Sequence, residues 1–295
     1  MKFYQSYYGY EVNRYDIGNK EELNSYVYAL SCHYLKKLGQ EVSLYVNGRG
    51  HEILKPLPYD KVEALPENVE PKAFWAYGKM LSHKQAPLGA VHIDGDVIIT
   101  KMDTVDYIAE HSKDADLFIQ HEEGGYLSSF HFEDEAVAEK MKGELKDICP
   151  PEINFKHPKS FHCGLLKLNN QKLKDRYLDV YFSVHEALGK TDFYDNGKKR
   201  AWWVPDLVVE QAYLWDIVKY HGYKYAGLFP FTMENADYWC NTIYGYKHFS
   251  AHGKYKFIER IRAELRAENR ALYEAVLENN IRNGEKGLYK TVYTK

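Results

Sequence analysis

The chain has 295 residues, 45% hydrophobic and 27% charged. That length admits one large α/β domain or two small ones, and the composition excludes long disorder, collagen-like repeats and membrane bundles. Its 39 Lys and Arg against 42 Asp and Glu give a formal net charge of −3 with no long basic run, so nucleic acid is not an expected partner.

The N-terminal aromatic stretch predicts a short strand over 2–8. It is broken by Gln5, Ser6 and Gly9 and then meets Glu11 and Arg14, so it does not read as a secretory signal. No run of about 18 apolar residues predicts a membrane helix, and the expected location is the cytoplasm. Residues 21–38 carry Leu23, Val27, Leu30, Tyr34, Leu35 and Leu38 on one helical face, with Gly39 as the stop. The alternating, β-branched segment 41–46 predicts a strand that ends in the turn Asn47-Gly48-Arg49-Gly50. A short strand over 61–65 and a helix over 72–82 follow, then an apolar strand region over 89–100 interrupted only by Asp94-Gly95-Asp96.

Further along, 115–120 and 126–132 read as strands and 133–145 as a helix, before Pro150 and Pro151 break the chain. A strand over 160–168, a helix over 173–188 and a helix over 206–220 entered through Pro205 come next. A single last helix is expected over about 256–283, with Ile258, Ile261, Leu265, Leu272, Val276 and Ile281 on one stripe packed on the sheet. Strands separated by helices define an α/β class: a mainly parallel sheet flanked by helices, with ligands gathering at the carboxyl ends of strands. No repeat and no polar linker divides the chain, so one domain with a helical C-terminal appendage is expected.

Four cysteines, Cys32, Cys149, Cys163 and Cys240, lie far apart without a C-x-x-C pair, which argues against a disulfide framework and fits a reducing compartment. Cys149, His157, His162 and Cys163 lack zinc-ligand spacing. The 27 tyrosines, and the pairs Trp202-Trp203 and Tyr238-Trp239, suit sugar stacking, but amphipathic packing explains them more economically. G-x-S-x-G, H-E-x-x-H, G-x-x-x-x-G-K-[ST] and G-x-G-x-x-G are absent, which removes support for serine hydrolase, zinc protease, P-loop and dinucleotide readings.

Asp94 and Asp96 place two carboxylates inside the most apolar stretch of the chain, where burial without a partner is costly. Residues i and i+2 of an extended chain share a face, so the pair can converge on one divalent cation, with Gly95 letting the backbone bend and a ligand approach. The same V-H-I-D-G-D-V-I-I segment also reads as a β-hairpin turning at Asp-Gly.

The context of this segment is informative. Phe74-Trp75-Ala76-Tyr77-Gly78-Lys79-Met80 precedes it, and Phe161-His162-Cys163-Gly164-Leu165-Leu166 and Pro205-Asp206-Leu207-Val208-Val209-Glu210-Gln211 follow. Tyr246-Lys247-His248-Phe249-Ser250-Ala251-His252-Gly253-Lys254-Tyr255-Lys256 closes the series. In this order the segments resemble the GT-A nucleotide-sugar glycosyltransferases of the Asp-x-Asp type. The resemblance implies a GT-A-like (Rossmann-like) domain over 1–256, with 257–295 as a C-terminal helical appendage and tail of the same domain.

The same resemblance implies a set of roles. Asp94, Asp96 and His248 would hold Mn²⁺ or Mg²⁺, with His252 in reserve because the spacing of His248, Gly253 and Lys256 departs from the usual pattern. Lys79 and Lys254 or Lys256 would reach the donor diphosphate as point charges, on the cofactor side shared with Asp94. Glu210 would serve as acceptor base, or Gln211 as stabiliser of the anomeric centre, and their 100° separation on a helix turns only one of them to the site. Without that context Glu210 reads as a solvated helix charge and Asp206 as an N-terminal helix residue. Asn47, where many relatives carry Asp, either meets the nucleotide base or shapes its turn.

The implied activity is metal-dependent transfer of a sugar from a nucleotide-diphosphate sugar to a glycan or other hydroxyl acceptor. The alternative is a non-catalytic carbohydrate- or partner-binding protein that keeps the scaffold. Phosphoryl transfer through Asp94 and Asp96 ranks last, since no Gly-rich phosphate loop accompanies them.

Overall fold

The computed structural model describes residues 1–9, 20–67, 76–124, 143, 145–147, 149–153, 159–189, 208–229, 245–249 and 257–288. The strand expected over 126–132 and most of the helix over 133–145 lie outside them, as do Trp202, Trp203, Tyr238, Trp239 and Cys240. In chain order the elements are β1 (Lys2–Tyr7), α1 (Lys20–Lys37), β2 (Glu41–Val46), α2 (Gly48–Leu54), β3 (Lys61–Ala64), α3 (Tyr77–Gln85), β4 (Val91–Ile93), β5 (Val97–Ile99) and α4 (Met102–Ser112). Then follow β6 (Leu117–Gly124), β7 (Lys159–Leu168), α5 (Gln171–Gly189), a π-helical turn (Val208–Ala212), α6 (Tyr213–His221), β8 (Tyr225–Gly227), β9 (Tyr246–His248), α7 (Ile258–Glu268) and α8 (Arg270–Glu285). Among the described residues no helix is long and apolar enough to cross a membrane.

The chain divides into two compact units, Met1–Asn68 with His92–Asp106 and Asp237–Lys295, and Val69–Val91 with Tyr107–Ala236. In the first, β1 pairs parallel with β2 from Lys2↔Glu41 to Tyr7↔Val46, and β2 pairs parallel with β3. A parallel pair cannot be closed by a hairpin, and α1 supplies the crossover. β4 is the next strand beside β1. The core of this unit joins Leu23, Val27 and Leu30 of α1 to Leu44 and Val46 of β2 and to Ile261, Leu265 and Val276 of the C-terminal helices. Side chains of this size contribute about 1.5–3 kcal/mol each when fully buried.

In the second unit β6 runs antiparallel to β7 and parallel to β8. Phe161 and Leu166 of β7 pack with Tyr177 and Tyr181 of α5 and with Tyr213 and Ile217 of α6. Tyr26, Tyr177, Tyr181, Tyr213 and Tyr246 are among the largest fully buried side chains, so packing accounts for these members of the tyrosine-rich composition.

The α/β class and the mainly parallel arrangement are as expected, with three departures. Residues 47–50 are not a strand-ending turn but the start of α2, with Asn47 as its N-cap. The long C-terminal helix is two helices, α7 and α8, divided at Asn269, whose side chain accepts from the Leu272 amide at 3.0 Å and caps the second. The apolar run over 89–100 is neither one strand nor a hairpin: β4 lies beside β1, while β5 pairs antiparallel with β9.

Candidate functional site

In the first unit the chain leaves β4 at Ile93, turns through Asp94-Gly95-Asp96 with the Val97 amide donating to the Asp94 carbonyl at 2.9 Å, and enters β5. The pairing of β5 with β9 sets Val97 opposite His248, and the Phe249 amide donates to the Asp96 carbonyl at 3.0 Å. Backbone register therefore delivers His248 to Asp96 from about 150 residues along the chain, a separation that costs loop entropy only logarithmically. One ligand atom from each of Asp94, Asp96 and His248 lies within 4.8 Å of the others, and His248 Nε2 is 3.4 Å from Asp96 Oδ1. This is the only group of three or more potential metal ligands so arranged among the described residues. Two carboxylates and one imidazole suit a divalent cation of the Mg²⁺ or Mn²⁺ class.

A shell of neighbouring groups holds this loop. His92, fully buried, has Nε2 at 3.2 Å from Ser6 Oγ and Nδ1 at 3.9 Å from Asp94 Oδ1, and its ring meets Tyr4 edge-on. The second distance is ion-pair range rather than a hydrogen bond. Tyr28 donates to the Ser6 carbonyl at 2.7 Å. Burial first, then the charges of Asp94 and Asp96, push its hydroxyl well above the ordinary tyrosine range, so it stays neutral. A Cβ on Gly95 would come within 2.0 Å of the Tyr28 ring, so glycine is required here because a protein ring, not a ligand, approaches the backbone. Asn47 accepts from the Gly50 and Gly9 amides at 3.0 and 2.9 Å and donates to the Gly9 carbonyl at 2.9 Å. Of its two expected uses, shaping the backbone after β2 is the one observed.

The second unit brings together Lys79 and Glu210. Lys79 Nζ lies 2.7 Å from Glu210 Oε1 and donates to the Cys163 carbonyl at 2.9 Å. Both side chains are buried, at 6% and 1% exposure, which corrects the reading of Glu210 as a solvated helix charge. Glu210 and Gln211 sit on the π-helical turn, and the Glu210 carbonyl accepts from the Tyr177 hydroxyl at 2.8 Å. Burying an ion pair is favourable only when both charges are satisfied, and the Lys79 contact to Cys163 contributes to that. Lys254, Lys256, the reserve ligand His252, Asp206 and His157 lie outside the described residues.

His162, part of the Phe161–Leu166 segment, meets two residues that no motif of the sequence singles out. His121 of β6 faces His162 of β7 across the ladder, their rings stacked with centroids 4.9 Å apart. Glu123 Oε1 lies 3.7 Å from His121 Nε2 and 3.8 Å from His162 Nε2. A signal for this cluster is present in the chain: His121 and Glu123 are two apart on a strand and so share a face.

The chain belongs to a family of unknown function, DUF6734, whose model matches residues 1–279. No curated protein matches the sequence. Among solved structures, HddC from Yersinia pseudotuberculosis complexed with GMP-PN aligns at 19% identity over 42% of this chain and 60% of that chain, with a TM-score of 0.30. The chain thus spans less than two thirds of that protein. The galactosyltransferase LgtC, in complex with donor and acceptor sugar analogs, aligns at 11% identity over 91% of this chain and 100% of that chain, TM-score 0.45. The glycosyltransferase GlyE of Streptococcus pneumoniae TIGR4 aligns at 10% identity over 98% of this chain and 65% of that chain, TM-score 0.42. At these scores the likenesses assign no role to any residue of this chain.

Proposed function

We propose that the protein is a metal-dependent glycosyltransferase that moves a sugar from a nucleotide-diphosphate sugar to a glycan or other hydroxyl acceptor. The observation that carries this reading is the convergence within 4.8 Å of Asp94, Asp96 and His248, the same three residues that the motif resemblance implies as metal ligands. A divalent cation held by these three would neutralise charge on the departing nucleoside diphosphate. The chain's own part is to hold the loop in one conformation: Tyr28 fills the space beside Gly95, and the buried His92 lies beside Asp94. Lys254 or Lys256 is the proposed contact to the diphosphate oxygens; Lys79, expected to share that role, is engaged by Glu210 and the Cys163 carbonyl. Of Glu210 and Gln211, Gln211 is the one proposed for the acceptor side, because Glu210 is fully buried and paired with Lys79.

The test is nucleoside diphosphate release from a panel of UDP- and GDP-sugars with Mn²⁺ present. The wild type releases product from at least one donor, and Asp94→Asn/Asp96→Asn lowers that release at least a hundredfold while its circular dichroism is unchanged. Release that the double variant retains, or none from any donor, contradicts the proposal.

A further inference from the structure

Within the first unit, α7 and the first residues of α8 line an open surface groove of about 530 Å³. Arg262 and Arg266 are four apart on α7 and share a face, and Arg270 brings a third guanidinium from the start of α8. Ala263 and Ala267, both exposed, complete the lining with small side chains. Three guanidinium groups against the carboxylate of Glu259 in the lining and that of Glu274 beside it leave the groove with a positive excess on a chain whose net charge is −3.

Two of the guanidinium groups are placed by aromatic rings. Arg262, 8% exposed, lies 5.2 Å from the Tyr26 ring centroid, donates to the Tyr273 hydroxyl at 3.1 Å and has Nη1 at 3.3 Å from Glu259. Arg266 lies over the Tyr273 ring at 5.8 Å and has no acidic partner among the described residues. Arg270 pairs with Glu274 at 2.7 Å, but both side chains are mostly exposed and solvent screening leaves such a pair weak and easily exchanged. Holding the planar fork of Arg266 against an aromatic face reduces the ordering cost of binding and leaves its N–H edge for an anion.

We infer that this groove binds a phosphate-type oxyanion carrying two or more negative charges, either a pyrophosphate or a phosphomonoester group. Guanidinium groups match the oxygens of such an anion with paired charge-assisted hydrogen bonds. The group could belong to a soluble phosphoester or to a lipid headgroup, since both present the same chemistry. None of these residues belongs to the metal cluster, so the inference is independent of the proposed transferase activity.

The experiment is calorimetric titration of the full chain with inorganic pyrophosphate in EDTA at low salt, using the wild type, Arg266→Ala/Arg270→Ala and Asp94→Ala/Asp96→Ala. Both arginines are exposed, so the first variant is expected to keep its thermal midpoint. The expected result is saturable binding that this variant weakens at least tenfold, that the aspartate variant leaves unchanged and that added salt reduces. A second arm sediments the chain with phosphatidylcholine vesicles, with and without phosphatidic acid. Binding confined to the acidic vesicles and lost in the arginine variant supports the oxyanion site with a headgroup as its source, whereas binding to pyrophosphate alone supports a soluble ligand. No binding in either arm, or binding that the arginine variant retains, overturns the inference.

Discussion

At Gly95 a single hydrogen atom decides whether the Asp94–Asp96 turn forms, because a Cβ there would lie 2.0 Å from the Tyr28 ring. Gly95→Ala is therefore expected to cost about 1–3 kcal/mol by overpacking. Tyr28→Ala empties the space, so the double variant is less destabilised than the sum of the two, which urea denaturation of the four proteins of the cycle checks. The sequence shows the Asp-Gly-Asp motif plainly and hides this reason for its glycine, since Tyr28 lies on α1 and nothing local pairs the two. Glu210 illustrates the same limit. In the chain it is one more acidic residue on an expected helix, and only packing shows it buried against Lys79. Glu210→Ala strands that ammonium and is expected to cost about 3–5 kcal/mol, most of which Lys79→Met/Glu210→Ala recovers in the same denaturation assay.

Among the elements, β2 and the body of α1 are legible because period-2 and period-3.6 patterns are strong there, with β2 observed at the expected residues. α2 is hidden because Asn-Gly-Arg-Gly carries the composition of a turn. Its glycines serve contact instead: a Cβ on Gly50 would lie 2.6 Å from Val46 Cγ2 and 2.8 Å from the Tyr7 ring. Asn47, which caps α2 and bridges Gly9, is expected to lose about 1–2 kcal/mol on change to alanine, read as a lower urea midpoint with unchanged slope. The division between α7 and α8 leaves no glycine or proline to read, only an asparagine that caps in place of continuing the helix. The partnership of β5 with β9 is equally illegible, because short strands of three residues carry no signal for a mate so distant in sequence.

Over the whole molecule, each unit carries its own core, and the histidines of the second give it an acid sensitivity. Burial pushes His83 well below the ordinary histidine value and His185 down to about 4. A histidine held neutral in the fold takes up a proton on unfolding once the pH drops below about 6.5, so stability is full above that value and is lost progressively towards pH 4. The thermal midpoint is expected to fall across this window, and His185→Gln to fall less steeply than the wild type. The central claim concerns the other unit. Its most direct test is the thermal midpoint with UDP or GDP, each with and without Mn²⁺, on the wild type and on Asp94→Ala/Asp96→Ala. A nucleotide bound with micromolar affinity and supplied in hundredfold excess over its dissociation constant stabilises by about 2.7 kcal/mol. A rise in midpoint that requires both the metal and one nucleotide, and that the double variant abolishes, is the predicted result. A wild-type midpoint unmoved by every combination, or a rise that survives loss of both aspartates, would contradict the account.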